Sequence, residues 1–227
     1  MFPILCYTIY TEKAYTTESL RHMGEHRILT GDRMNTYERQ VEYIKERLRE
    51  ELKPSRFAHT LRVADTARHL AHCHGLNEEQ AYLAGLLHDC AKCIDKDRQK
   101  ELCEAYGVAL TPFEQAHPGL IHAKLGAVLA GAWYDVKDPA IAEAIRWHTT
   151  GKPAMEPLTA VLYAADYIEP GRTKSQNLDA LRALGDKDLY ACVTAILANM
   201  MAYLDKDPEN TDPMTAETYH YYTSRNT

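Results

Sequence analysis

The sequence predicts an all-α fold. Residues 37–52 alternate charged side chains with Val41, Ile44 and Leu48 at helical spacing, and Pro54 ends the pattern. No run alternates apolar and polar residues for long enough to indicate a strand. The uncharged segment Leu189–Leu204 is shorter than the roughly 20 residues that a membrane span needs, so it is expected to be a buried core helix.

Helix starts and stops divide the chain further. Ser55 is expected to cap a second helix that runs to Gly75, where glycine is a typical stop. Asn77 is expected to cap the next helix, with Gln80 placed for a capping-box contact. The pair Asp138-Pro139 predicts another start, with the acid as cap and proline in the first turn. Most of the chain is therefore expected to be helical.

Three segments differ in composition. Residues 1–33 mix Tyr, Thr, His and charge without a period, and are taken as an N-terminal extension of unknown role. Residues 34–204 carry the helical signals and form the main domain. Residues 205–227 are acidic and then Tyr-rich, and are expected to be a solvated or loosely packed tail.

Composition restricts the class of function. The formal net charge of −6 argues against broad nucleic-acid binding, which needs a basic surface. The apolar run at residues 2–10 has no basic segment before it and no clear cleavage site after it. We therefore expect a cytoplasmic protein whose six cysteines are reduced.

Six ionisable residues lie on segments that otherwise read as apolar helix faces. Such faces rarely carry these groups without partners, and a shared metal centre would provide a partner for all of them. The pair His88-Asp89 ends an apolar segment, and an aspartate there can offer one oxygen to each of two metals. The six residues are His59, His88, Asp89, His122, His148 and Asp166.

Other candidates are weaker. A single histidine on an apolar face is usually a hydrogen-bonded core residue. His117 competes with His122, but it precedes a proline in an expected loop. Cys90 and Cys93 form a C-x-x-C pair without a second pair for zinc, so they are interpreted as buried thiols. Three histidines on the expected exposed end of a helix are given little weight as ligands: His69, His72 and His74.

Five sequence blocks resemble the HD-domain superfamily of metal-dependent phosphohydrolases, and in detail its YqeK family. The resemblance covers roughly residues 35–201 and implies an HD-domain helical bundle around a dinuclear metal site. The blocks are His59-Thr60-Leu61, Ala84–Lys92, Ile121-His122-Ala123, His148–Gly151 and Ala165–Arg172.

The resemblance also implies a ligand set. His59, His88, Asp89 and Asp166 would hold one metal, and His122 with His148 would hold the second, with Asp89 bridging. Mixed histidine and carboxylate ligands suit iron, manganese, cobalt or zinc. The resemblance favours iron.

Family members hydrolyse diadenosine tetraphosphate symmetrically, so the resemblance implies a small dinucleoside polyphosphate as partner, with no nucleic acid or membrane. A homodimer is left open. Asp89 and Lys92 are the candidate catalytic residues. The expected phosphate contacts are Arg56, Lys92, Thr149, Thr150, Gly151 and Arg172.

Three alternatives stay open at this point. The chain could be an HD phosphohydrolase for another nucleotide, a di-iron oxygenase with the same ligand order, or a module that senses nucleotides without turnover. Lys92 and Arg172 argue against the oxygenase, and the complete ligand set argues against the sensor.

Overall fold

The structure is a computed structural model that describes residues 34–204, 209 and 211–224. The described residues form helices and connecting loops and contain no strand, which confirms the all-α prediction. The helices are α1 (Thr36–Glu51), α2 (Pro54–Cys73), α3 (Glu78–Leu87), α4 (Lys96–Ala105), α5 (Pro112–Ala116), α6 (Ile121–Tyr134), α7 (Pro139–Trp147), α8 (Pro157–Ile168), α9 (Leu178–Gly185), α10 (Leu189–Leu204) and α11 (Pro213–Thr223). A 3-10 turn, Cys90–Cys93, follows α3.

The chain divides into two units, residues 1–42 and 43–227. In the first unit the structure describes residues 34–42, and the predicted extension 1–33 lies outside the described residues. There Asn35 and Glu38 satisfy each other's backbone N–H groups, at 2.8 and 2.9 Å. This reciprocal pair caps the start of α1.

Two predicted helix starts are confirmed. The Asn77 side chain accepts hydrogen bonds from the backbone N–H groups of Glu79 and Gln80, and Asp138 accepts one from Ala140. The Gln80 side chain does not complete a capping box. It donates instead to Asp138 Oδ2 at 2.6 Å, which ties the starts of α3 and α7 together.

The prediction that Ser55 caps α2 is wrong. Lys53 is the N-cap residue, no side chain caps this end, and Pro54 occupies the first turn. Proline fits there because its φ suits the helix and its missing N–H is not needed. The other end agrees with the prediction: Gly75 follows the helix with a φ of +65°.

Helix α8 is the centre of the second unit. It packs against α2, α3, α7, α9 and α10, and almost every side chain from Thr159 to Ile168 is buried or nearly so. Helices α2 and α3 approach closely at Gly85, where an added Cβ would lie 2.5 Å from the Ala64 Cα. Only glycine allows this contact, which brings two ligand-bearing segments together.

The expectation of a loosely packed tail is not met at residues 213–223. Helix α11 buries Thr215, Thr218 and Tyr222. The Tyr222 hydroxyl accepts a hydrogen bond from the Met155 N–H at 2.8 Å. The C-terminal helix thereby supports the loop that follows His148.

Helix α10 has the predicted bounds and buries one face, including Val193 and Ile196. Within the described ranges, no helix combines the length and apolar character needed to cross a membrane.

Candidate metal centre

Three histidines hold their rings in the same way. His88, His122 and His148 each place Nδ1 against the backbone carbonyl three residues earlier. A carbonyl can only accept, so each Nδ1 carries the hydrogen and each neutral Nε2 presents a lone pair. The acceptors are Gly85 O at 2.6 Å, Gly119 O at 2.8 Å and Ile145 O at 2.7 Å.

The Nε2 atoms of His122 and His148 lie 3.2 Å apart. Two lone pairs at that distance repel each other unless a cation or a proton lies between them. Asp89 Oδ1 is close to both, at 3.2 Å from His122 Nε2 and 3.7 Å from His148 Nε2. The three side chains are buried and their donor atoms fit a metal ion.

The other side of Asp89 faces a second pair of histidines. His88 Nε2 lies 3.4 Å from Asp89 Oδ2 and makes no hydrogen bond, although it is fully buried. His59 Nε2 lies 3.1 Å from Asp166 Oδ1, and the His59 and His88 rings meet edge to face at 5.3 Å. His59, His88 and Asp89 also form a group whose donor atoms could hold a metal. A buried nitrogen without a partner is expected where a cation binds.

The electrostatics of the pocket favour ligand-ready protonation states at Asp89 and His122. Burial alone would raise the pKa of Asp89, but His88, His122 and His148 together hold it well below its usual range. Burial lowers the pKa of His122 to about 4, so its ring is neutral at ordinary pH. For His88, burial is outweighed by Asp89 and Asp166, and its pKa rises.

Glu169 is a functional candidate that the sequence pattern alone did not indicate. Its carboxylate is buried and lies 3.2 Å from His59 Nδ1. Arg62 Nε and the Gly171 N–H each donate to its Oε2 at 2.5 Å. A carboxylate behind a ligand histidine fixes the ring and raises its basicity.

The available sequence signal for Glu169 was weak. It lies three residues after Asp166, in the last of the five blocks, but nothing local pairs it with His59, 110 residues earlier in the chain. Burial opposes ionisation, yet Arg62, Gly171 and His59 lower the pKa of Glu169. The residue is therefore a carboxylate at neutral pH.

Three predicted phosphate-contact residues lie at the rim of this pocket. Arg56 Nη1 donates to Asp89 Oδ2 at 2.8 Å, and Lys92 Nζ lies 3.9 Å from Asp89 Oδ1. Arg172 donates to the Asp166 carbonyl at 2.8 Å. Their side chains are 41%, 35% and 34% exposed, respectively, so each reaches both the ligand carboxylates and the solvent.

The other three predicted contacts, Thr149, Thr150 and Gly151, follow His148 directly. The polar groups of Thr150 and Gly151 form hydrogen bonds within the segment and to Trp147. The Thr150 hydroxyl donates to Gly151 O at 3.0 Å, and the Gly151 N–H donates to Trp147 O at 2.9 Å. Gly151 has a φ of +65°, and an added Cβ would lie 2.9 Å from Thr218 Cγ2. These contacts describe a tight turn that holds His148.

The other residues considered as metal ligands, His117, Cys90 and Cys93, make different contacts. At the end of α5, His117 Nδ1 donates to Phe113 O at 3.0 Å, and the His117 ring stacks on the Phe113 ring with centroids 4.0 Å apart. Cys90 is buried with Sγ 3.8 Å from Gly126 O, and Cys93 Sγ contacts Cys90 O at 3.3 Å. The expectation of buried thiols is thus met at Cys90, whereas Cys93 is partly exposed.

Comparison with known proteins agrees with this geometry. The family model for the HD domain matches residues 56–171, which contain all six residues of the pocket. A crystal structure of an HD superfamily hydrolase from Clostridium acetobutylicum, described as involved in NAD metabolism, superposes with a TM-score of 0.78. It is 34% identical, and the match covers 82% of this chain and 97% of that one. The fold and site therefore define an HD-type hydrolase.

Curated relatives identify the branch of the HD-domain superfamily to which the chain belongs. A protein of Bacillus subtilis (strain 168), named symmetrical bis(5'-nucleosyl)-tetraphosphatase, is 34% identical over 78% of this chain and 94% of its own length. A protein of the same name from Halalkalibacterium halodurans is 33% identical over 74% of this chain and 89% of its own length. The chain belongs to the YqeK family of the HD-domain superfamily and is an enzyme of the HD phosphohydrolase class.

Proposed function

We propose that the pocket binds two divalent metal ions bridged by Asp89. The support is the position of its two carboxylate oxygens: Oδ1 lies by His122 and His148, and Oδ2 by His88. His59 and Asp166 complete the second group. Iron is the metal that the family resemblance favours, and the same donors would also accept manganese, cobalt or zinc.

We infer that the substrate is diadenosine tetraphosphate, and that the products are two ADP. Two kinds of observation support this substrate. The relatives with high coverage are named symmetrical bis(5'-nucleosyl)-tetraphosphatases. In this chain, Arg56, Lys92 and Arg172 bring three cationic side chains to the rim of a buried ligand pocket, where a polyphosphate would need them.

The reaction adds one water across the central phosphoanhydride. The water oxygen bonds to one inner phosphorus, the bridging P–O bond breaks, and the bridging oxygen leaves with the second ADP. When bound, the metals would supply an activated water and positive charge for the phosphate oxygens. Lys92 and Arg172 bind the polyphosphate and orient it, and Arg56 balances charge at Asp89. One proton of the attacking water passes to solvent. The second ADP leaves as a stable anion, so no buried general acid is required.

The observation that carries the proposal of a metal-dependent hydrolase is the 3.2 Å contact between the Nε2 atoms of His122 and His148 beside Asp89. Its test is incubation of the iron-loaded protein with diadenosine tetraphosphate, with products resolved by chromatography. ADP as the only product supports the proposal. AMP with ATP would contradict symmetrical attack, and no turnover by metal-loaded protein would contradict this substrate.

A second candidate is hydrolysis of a nucleotide from NAD metabolism. It is favoured by the description of the Clostridium acetobutylicum structure as involved in NAD metabolism. The same assay, with NAD and nicotinate mononucleotide as substrates, separates the two candidates by comparing kcat/KM.

A further inference from the structure

A second cluster of metal-ligand side chains lies on the exposed surface of α2. His69 and Cys73 are one helical turn apart, and Asp186 follows the end of α9. His69 Nε2 lies 2.9 Å from Asp186 Oδ1 and 3.6 Å from Cys73 Sγ. One ring nitrogen therefore contacts both a carboxylate and a thiol, and all three donor atoms lie within 4.8 Å of one another.

The spacing of these atoms suits a tetrahedral cation. Zinc binds histidine nitrogen, carboxylate oxygen and thiolate sulfur at bond lengths that place neighbouring ligand atoms about 3.3–3.8 Å apart. The contact between His69 and Cys73 has this separation, and the contact between His69 and Asp186 is slightly shorter. Histidine and cysteine four residues apart on a helix present their donors on the same face.

The backbone that carries Asp186 is fixed against α2. His74 Nε2 donates to Gly185 O at 2.6 Å, and an added Cβ on Gly185 would lie 3.3 Å from Leu70 Cδ2. The three donors therefore come from two packed segments rather than from a loose surface loop. Such preorganisation lowers the cost of binding.

We propose that His69, Cys73 and Asp186 bind one divalent cation of the zinc class, separate from the central pocket. The histidine contributes a neutral nitrogen and the aspartate a carboxylate oxygen. The cysteine contributes a thiolate, whose proton passes to solvent. Water completes the coordination, because the cluster is open to solvent beside a cleft of about 380 Å³ lined in part by His69 and Asp186. Binding would join α2 to the connection between α9 and α10.

Cobalt(II) is the probe for this site. The purified iron-loaded enzyme would be titrated with Co²⁺ while the near-ultraviolet sulfur-to-cobalt charge-transfer band and the iron content are followed. This band requires a thiolate ligand, and none of the six residues of the central pocket is a cysteine. We expect a band that saturates at one equivalent and that Zn²⁺ displaces.

Variants make the assignment specific. Cys73→Ser should abolish the band, and His69→Ala should weaken cobalt binding at least about tenfold. His72→Ala is the matched control, because His72 is on the same helix but contacts Glu78 at 2.8 Å instead. Absence of the band at saturating Co²⁺, or a band unchanged in Cys73→Ser, would overturn the proposal, whatever the result of the hydrolase assay.

Discussion

The two ends of helix α2 carry histidines in opposite environments. His59, near the start, has a side chain that is 12% exposed, and its two nitrogens face Glu169 and Asp166. His72, near the end, is 74% exposed and contacts Glu78, six residues further along the chain. The residue type and the helix are the same. The difference lies in the partners, which for His59 come from α8 and the residue after it.

This comparison shows what distinguishes the candidate ligand histidines of the central pocket from His72. In the pocket, His59 and the three other histidines each have one ring nitrogen fixed by a carbonyl or a carboxylate, and the other points towards the shared centre. At the exposed end, water can satisfy either nitrogen, so burial imposes no requirement for a cation. A surface ion pair such as His72 with Glu78 also contributes little to stability.

The largest expected effect is the loss of the carboxylate charge that the buried histidines share. Asp89→Asn keeps the shape of the side chain but removes the charge that faces His88, His122 and His148. We expect metal content to fall to background and kcat to fall by about 10³-fold or more. Elemental analysis and the chromatographic assay measure both.

Asp97→Asn is the control for this change, because Asp97 is exposed in the first turn of α4. It should keep full metal content. Wild-type activity in Asp89→Asn would contradict the bridging role of Asp89, and a helical circular dichroism spectrum like that of the wild type shows that the fold persists.

A smaller effect is expected from the carboxylate behind His59. Glu169→Gln keeps a hydrogen-bond acceptor but removes the charge that orients and polarises the ring. We expect metal affinity, measured by competition with a chelator, to fall about 10–100-fold. Glu169→Asp should recover part of the loss, because it restores the charge at a shorter reach.

Glu104→Gln, on the exposed surface of α4, is the matched control for this experiment. Unchanged metal affinity in Glu169→Gln would mean that Glu169 serves only to hold Arg62 and Gly171 in place.

Lys92 tests the rim of the pocket separately from its ligands. Lys92→Ala should raise KM for a polyphosphate substrate about tenfold, the effect expected for one lost charged contact, and leave metal content unchanged. Lys96→Ala, four residues away and exposed, is the control. If both variants have the same kinetics as the wild type, Lys92 does not contact the substrate.

The fold class and the six pocket residues could be predicted from the sequence, because both follow from patterns that are visible along the chain. Apolar periodicity or a continuous apolar run marks helices such as α1 and α3, and the order of His and Asp along the chain needs no coordinates. Ring orientation was not predictable. The Nδ1 contacts of His88 and His148 depend on where α3 and α7 end, and the position of Glu169 depends on how α8 packs against α2.

The start of α2 was predicted wrongly because two local preferences competed there. Serine is a good N-cap residue, so local preference favoured Ser55. Proline at the preceding position fits the first turn of a helix, so the N-cap of α2 is Lys53 and the helix begins at Pro54, two residues earlier than predicted. Two local preferences competed here, and the sequence alone did not rank them.

The smallest expected effect is on the free energy of unfolding when the polar side chains at the starts of α2 and α3 are removed. Asn77 caps α3 by accepting two backbone N–H groups, at 3.0 and 3.1 Å, whereas no side chain caps α2. Asn77→Ala should therefore lower the free energy of unfolding by about 1 kcal/mol. Ser55→Ala should change it by less than about 0.5 kcal/mol, as for an exposed site without a specific contact. Urea unfolding of the metal-loaded protein measures both. A larger loss for Ser55→Ala than for Asn77→Ala would reverse this assignment and place the cap of α2 at Ser55.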